Sequence, residues 1–301
     1  MGGRIKGTLC LVASAFGFAA MGMFIRLADD LGGPVSCFQK GFFRNVIAAV
    51  IAAALFARNR PLRALGVSSS IPLLVLRSVL GTAGIFLNFY AISHMPLADA
   101  MMLNKLAPFF TVAFSWMFLG ERLHVGQALC LCGALVGAAC VVKPGFASAT
   151  IFPAVCGLAG GIGAGGAYAC VHALGRRRVD PSFIVLFFSV FSCIASVPFM
   201  VVDFAPMTPS QLASLVGAGA MAALGQFGVT AAYRHAEPRT IAAWDYTNIL
   251  FAALFGLLLF GQVPDVWSVL GFVVIVLSAV VLLNCSGGKS SRKSKEERLM
   301  E

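Results

Sequence analysis

The sequence predicts an all-α integral membrane protein whose ten transmembrane helices form two inverted five-helix repeats. Three observations carry this expectation: too little charge for a water-facing surface, a succession of apolar runs of bilayer length, and a thin self-similarity between the two halves. Of 301 residues, 59% are hydrophobic and 11% charged, and the mean hydropathy is +0.90. A soluble domain carries roughly 25% charged residues, so much of this surface must face lipid. The nine cysteines are odd in number, form no CxxC pair, and include Cys130, Cys132, Cys140, Cys156, Cys170 and Cys193 inside apolar runs. They read as small buried residues and not as a disulfide framework.

A span needs about 20 mainly apolar residues. Read between turn signals, the spans fall at 6–27, 35–57, 71–93, 97–119, 124–142, 152–174, 182–202, 211–233, 239–260 and 266–284. The first follows Arg4 and Lys6 as a secretory signal would, but its apolar stretch is too long and no small-residue cleavage site precedes Arg26, so it reads as a retained helix. The breaks are helix-ending chemistry: Gly32-Gly33-Pro34, Arg58 to Pro61, Met95-Pro96, Lys143-Pro144-Gly145, Asp180-Pro181, Thr208-Pro209 and Glu237-Pro238. Residues 1–145 then make the first repeat, 146–285 the second, and 286–301 a basic tail with Lys289, Arg292, Lys293, Lys295 and Arg298.

Basic residues sort by loop parity. With the N-terminus inside, Arg4, Lys6, Arg58, Arg60, Arg63, Arg122, Arg176, Arg177, Arg178, Arg234, Arg239 and the five tail residues are cytoplasmic, sixteen of 22 Lys and Arg. Arg26 and Lys143 fall near the outer face, and Lys40, Arg44, Arg77 and Lys105 lie within helices. Both termini are therefore expected on the cytoplasmic side of a cell's inner membrane. The net charge of +10 is explained by this sorting and by a tail suited to anionic lipid headgroups, with no need of a nucleic-acid partner.

An offset of 141 residues pairs Ala91 with Ala232, His94 with His235, Phe110 with Phe251, Phe114 with Phe255, Gly120 with Gly261, Val125 with Val266 and Leu129 with Leu270. The aligned segments are the fourth and fifth spans against the ninth and tenth. Halves of five spans are inverted relative to each other, a construction that lets two similar bundles rock around one central site; duplication without transport is the plainer alternative.

The stretches Asn88 to Ala100 (NFYAISHMPLADA), Leu103 to Pro108 (LNKLAP) and Phe118 to Glu121 (FLGE) resemble the EamA-type branch of the drug/metabolite transporter superfamily. The ten spans, inside termini and inverted halves are similar to that family as well, over residues 1 to about 285. The resemblance implies a carrier of small organic metabolites, commonly an exporter of amino acids or related compounds, with a cavity between the halves. The second copy departs from the pattern: Ile249 stands where the first has Pro108, and Gln262 where it has Glu121.

Ionisable residues deep in a span cost about 2.5–3.5 kcal/mol on insertion scales and should face a cavity or a partner. Lys40, Arg44, Arg77, Lys105 and Asp245 qualify. Lys40 and Arg44 share a helix face at i,i+4; Lys40 is expected to snorkel to a headgroup, while Arg44, roughly 14 Å in at 1.5 Å per residue, is too deep for that. Arg77, Gly81, Gly84 and Asn88 form one face of the third span, polar at both ends, with Tyr90 beyond. In the fourth span, Pro108 lacks the N–H that would bond the Asn104 carbonyl, leaving an acceptor free beside Asn104 and Lys105. Asp245 is the only carboxylate expected well inside a span, and rise per residue brings it near enough to pair with Lys105 or Arg44. Such a pair is either a static structural one or one exchanged on protonation or substrate binding, which would couple transport to protons. Gly157, Gly161 and Gly165 make a small-residue groove on the sixth span, ending near Tyr168.

The histidines His94, His124, His172 and His235 make no HExxH; there is no GxSxG, no strand-borne GxGxxG and no P-loop, so enzymatic chemistry and nucleotide hydrolysis are disfavoured. Neither a cofactor nor a bound metal is expected, and no catalytic residue. The expectation is a secondary carrier of a small polar metabolite, anionic or zwitterionic, with Arg44, Arg77, Asn88, Tyr90, Asn104, Lys105, Tyr168, Gln226, Trp244, Asp245 and Asn248 as binding residues. A carrier for a cationic or nucleoside-like compound, such as S-adenosylmethionine or a quaternary amine, is the alternative, with a membrane-embedded enzyme or a channel behind it. A monomer suffices for this mechanism, and a dimer is compatible with it.

Overall fold

The structure, a computed structural model, describes residues 2–58, 67–120, 124–142, 148–177, 179–235 and 242–297. Arg60, Arg63, Arg122, Lys143, Arg178, Arg239 and Arg298, used above for orientation, lie outside the described residues, as does Glu121. Among the described residues the fold is all-helical: α1 (Gly2–Asp30), α2 (Cys37–Arg58), α3 (Val67–His94), α4 (Leu97–Asn104), α5 (Ala107–Leu119), α6 (Val125–Val142), α7 (Ser148–Arg176), α8 (Pro181–Val202), α9 (Pro209–His235), a 3-10 helix Ala242–Tyr246, α10 (Thr247–Phe260) and α11 (Val266–Glu297).

Among the described residues, seven stretches are long and apolar enough to cross a membrane: Ile5–Asp30, Ser70–His94, Leu97–Phe118, Val125–Val142, Ile151–Arg176, Phe183–Val202 and Pro209–Val229. Two further apolar stretches, Trp244–Phe260 and Val266–Leu282, are shorter. Seven of ten expected spans therefore meet the length and composition of a crossing helix. Gln39, Lys40, Arg44 and Asn45 place polar groups in the first half of α2, and a 3-10 helix precedes α10. Helix α11 continues through the polar tail to Glu297, where the sequence suggests only a tail beyond the last span.

Small residues set the packing. Helix α1 lies along α9, α3 along α7, α2 against α8, and α6 against α11, while α5 packs on α7 and α10 on α1. A Cβ at Gly17 of α1 would sit 2.8 Å from the Gly225 nitrogen of α9, and one at Gly163 of α7 would sit 3.0 Å from the Leu80 carbonyl of α3. Gly271 of α11 likewise faces the Gly137 carbonyl of α6 at 2.6 Å. In lipid no hydrophobic force drives apolar helices together, so such backbone approach is what secures them. The sequence pattern for Gly157, Gly161 and Gly165 follows the same logic: α7 offers Gly161 and Gly165 to the α4–α5 junction and, from another face, Gly160 and Gly163 to α3.

Two ends match at the 141-residue offset. Helix α5 ends at Gly120 with φ 67° and α10 at Gly261 with φ 62°, the left-handed cap that glycine adopts without steric cost. Their N–H groups donate to the carbonyls of Ser115 and Gly256, residues with the same offset. Helix α4 is enclosed: residues from Leu97 through Leu103 are all buried, and Met102, Leu103, Leu106 and Phe109 belong to the main core. The α4–α5 junction therefore sits in the interior and not at a membrane face.

Candidate functional site

The fourth expected span is two helices. Helix α4 stops at Asn104, the Leu106 N–H donates to the Leu103 carbonyl at 3.2 Å in a tightened turn, and α5 starts at Ala107 with Pro108 in its first turn. Proline suits that position because the N–H it lacks would be unpaired there anyway. The matched break in the second half comes without proline. A 3-10 helix ends at Tyr246, the Thr247 hydroxyl donates to the Trp244 carbonyl at 2.7 Å, and Ile249, buried, occupies the proline's place. The two breaks meet through an ion pair, with Lys105 Nζ donating to Asp245 Oδ2. Its side chains retain 15% and 27% exposure, so it is partly desolvated and still reachable by solute. Around it, Asn248 donates to the Ala15 carbonyl at 2.9 Å, tethering α10 to α1, and the Leu97 N–H at the start of α4 donates to Gln262 Oε1 at 2.9 Å. Gln262, one of the departures from the repeat, thus caps the broken helix of the opposite half.

A second polar group joins α2, α3, α7 and α8. Arg77 lays its guanidinium over the Phe188 ring, 3.6 Å from the centroid, and Arg44 donates to Asn45 Oδ1 at 3.0 Å. Asn45 is itself held by the Gly41 carbonyl and the Ser192 hydroxyl. Arg44 and Arg77 are within electrostatic reach of one another and of Tyr168. Among the described residues, Arg44 Nε and Arg77 Nε and Nη1 are buried with no hydrogen-bond partner.

Interrupted helices that meet through opposite charges in the interior are also how many membrane carriers are built. The family model described as "EamA-like transporter family" matches residues 5–143 and again residues 151–284. The chain belongs to this family. It is 32% identical over 287 residues to a pseudopaline exporter, CntI, of Pseudomonas aeruginosa (strain UCBPP-PA14), covering 94% of this chain and 98% of that one. It is 25% identical over 288 residues to a riboflavin transporter of Brucella anthropi, covering 93% and 99%. It is 24% identical over 290 residues to human solute carrier family 35 member G1, covering 91% and 78%. A solved crystal structure of 19% sequence identity shares the fold with a TM-score of 0.59, covering 95% of this chain and 99% of that one. This is a multi-pass membrane transporter.

The transporter keeps a third charged cluster at the end of the bundle opposite its termini, and here the sequence expectation needs correcting. Lys40 does not snorkel. It is 1% exposed, and its ammonium donates to Asp29 Oδ1 and Oδ2 at 2.6 and 2.7 Å and to the Ser93 hydroxyl at 2.6 Å. The cause is the length of α1, which runs past residue 27 to Asp30 and carries Asp29 into reach. Asp245 is accordingly not alone: Asp29 is mostly buried, and Asp99 is buried in the first turn of α4. Arg26, expected simply near the outer face, donates to the carbonyls of Ile92, Ser93 and Met95, capping α3. Gln39 pairs with both the N–H and the carbonyl of Ala205, Ser36 donates to Asp203 at 2.7 Å, and Gln211 donates to Ala28 and Gly33. These contacts fasten α1 and α2 to the α8–α9 connection. A basic residue buried early in a span with an acidic residue one turn beyond the preceding span is the signal that would have found them.

The remaining expected residues scatter around the transporter. Asn88 is buried at the α3–α7 contact, with its backbone nitrogen and Cβ facing Gly160 and its Oδ1 without a partner among the described residues. Tyr90 stacks on His94 at 4.1 Å and meets Phe152 edge-on. Asn104 is half-buried beside Lys105. Tyr168, Trp244 and Gln226 are exposed. The structure thus gathers Lys105, Asn104, Asp245, Trp244 and Asn248 at the paired breaks, and Arg44, Arg77 and Tyr168 at a second locus. Phe188, which fixes Arg77, was not foreseen, since one phenylalanine in an apolar run carries no signal. Among the described residues no cluster of three or more metal-ligating side chains occurs.

Proposed function

We propose that the protein is a secondary transporter that carries a small polar metabolite, an amino acid or a related anionic or zwitterionic compound, across the cytoplasmic membrane by alternating access. The single observation that carries this is the Lys105–Asp245 pair, which ties the interrupted helix of one half to that of the other. In this reading the chain has ten spans in two inverted halves, 1–145 and 146–285, with both termini and the basic segment 286–301 on the cytoplasmic side. The family model matching twice and the paired Gly120 and Gly261 caps support the duplication. So does the packing, in which α1 on α9 and α10 on α1 have their counterparts in α7 on α3 and α5 on α7.

The pair acts as the exchange point. When both charges are matched to each other the two breaks are held together; a substrate group that binds Lys105, or a proton on Asp245, removes the attraction and lets the halves separate on one side. Export or exchange is the direction consistent with relatives named as exporter and transporter.

Proteoliposome counterflow with a radiolabelled metabolite panel tests this. Asp245→Asn is expected to abolish net transport, or at least its pH dependence, while leaving the protein monodisperse. Retained transport with an unchanged pH profile would sink the exchange role. Saturable uptake confined to quaternary amines or nucleosides would replace the anionic reading with the cationic one.

A further inference from the structure

We propose that Arg44 and Arg77 form a two-point clamp for a ligand that carries two acid groups, a small dicarboxylate; this deepens the anionic reading above and rests on it. Two guanidiniums held near each other inside a membrane protein repel, and each is costly to desolvate unless an anion compensates it. No carboxylate among the described residues bonds either one. Asp29 is taken by Lys40 and Asp245 by Lys105, so among the described residues neither of these buried carboxylates compensates the two arginines, and a bound anion would.

The geometry of the free N–H groups matches that role. Stacking on Phe188 fixes the plane of the Arg77 guanidinium, and its Nε and Nη1, on opposite sides of that plane's long axis, are each buried without a partner among the described residues and so open to an acceptor. Arg44 has one N–H committed to Asn45, which Ser192 and Gly41 hold in place, while its Nε is free. The two arginines belong to α2 and α3, and Tyr168 of α7 contributes a hydroxyl within electrostatic reach of both. Phe188 belongs to α8, so a ligand seated here touches two helices from each half of the chain. A monocarboxylate compensates one guanidinium and leaves the other bare; a dicarboxylate of suitable length compensates both. Two-point recognition therefore selects for the second acid group as well as for charge.

The test is thermal unfolding of the full-length protein purified in detergent, titrated with succinate, glutarate and adipate, with monocarboxylates of matching chain length, with inorganic sulfate and with choline. One dicarboxylate is expected to stabilise with an apparent affinity about 10- to 100-fold tighter than its monocarboxylate, the worth of one charge-assisted hydrogen-bonded pair. Arg44→Gln and Arg77→Gln are each expected to reduce the dicarboxylate response to the monocarboxylate level. Should a glutamine variant not fold, Arg77→Lys keeps the charge without the planar fork and is expected to lose at least half of the discrimination. Equal stabilisation by mono- and dicarboxylates, or dicarboxylate binding indifferent to both arginines, overturns the clamp and leaves the anionic reading intact. Sulfate matching the best dicarboxylate overturns the two-ended geometry. Stabilisation by choline alone, or by none of the acids, overturns the anionic reading and the clamp with it.

Discussion

Replacing Lys40 with methionine should cost this protein far more than a membrane-surface lysine would. Methionine keeps most of the apolar stem and removes the ammonium. That deletes bonds of 2.6 and 2.7 Å to the Asp29 carboxylate and one of 2.6 Å to Ser93. Asp29, 13% exposed, would keep only the Val35 N–H at 2.9 Å to offset its charge. Breaking a buried pair by removing one partner costs about 3–5 kcal/mol, most of it the stranded charge. At about 2 °C per kcal/mol, the unfolding midpoint in detergent should fall by about 6–10 °C when followed by tryptophan fluorescence. The Asp29→Asn, Lys40→Met double variant strands no charge and should recover at least half of that loss. A surface lysine shifts stability by no more than about 0.5 kcal/mol. A fall below about 2 °C for Lys40→Met, or a double variant as damaged as the sum of the singles, would refute the buried-pair argument.

Four further outcomes are open to the same thermal measurement. Alanine at Gly161 or Gly165 would place a Cβ 2.6 Å from the Leu103 carbonyl or 2.5 Å from Phe110 Cβ, pushing α7 off the helix junction at a cost of about 1–3 kcal/mol. Gly175→Ala, on the same helix with nothing within 4 Å, should instead be neutral or stabilise by up to about 1 kcal/mol. Gly120→Ala and Gly261→Ala meet no neighbour but impose a left-handed backbone on alanine, φ 67° and 62°, so each should cost about 1–2 kcal/mol and the two should agree. Asn248→Ala removes the tether to the Ala15 carbonyl and should lower stability by about 1 kcal/mol.

Much of the interior was legible because lipid makes polar atoms informative. Arg44, Arg77, Lys105 and Asp245 stand out in apolar surroundings, and counting rise per residue was enough to bring Asp245 within reach of Lys105 or Arg44, of which the structure pairs it with Lys105. The Gly157, Gly161 and Gly165 pattern announced its own use, since a glycine stripe in a span has little reason to exist except close packing. What escaped lay at helix ends and in apolar side chains. The end of α1 is set by the hydrogen bonds of its last turn, not by hydropathy, so Asp29 looked like loop and its partner Lys40 looked unpartnered. The break before α10 was equally hidden, because Ile249 carries none of the proline signal of Pro108; the chain breaks there where Asp245 meets Lys105 and Thr247 bonds back to Trp244. Gln262 looked like a lost glutamate and proved to cap α4.

The three charged clusters differ in how completely they are satisfied, and that difference is physical grounds for assigning them different work. At the end away from the termini, Lys40, Asp29, Ser93, Arg26 and Gln211 all hold short hydrogen bonds. A network held by so many short bonds gains little from a ligand and loses several bonds if it opens, so its role is to fasten α1, α2, α3 and α9 together. The Lys105–Asp245 pair is matched in charge but keeps partial exposure, so a charged solute can reach either partner at a smaller desolvation cost than a fully buried pair would impose. Arg44 and Arg77 hold buried N–H groups without partners, and only an added anion improves their energy. Among the described residues, charge pairing therefore falls from complete at Lys40 and Asp29, through partly exposed at Lys105 and Asp245, to unpartnered N–H groups on Arg44 and Arg77. A carrier needs that ordering, because its binding locus must be the least satisfied part of the empty protein and its fastened helix ends the most satisfied.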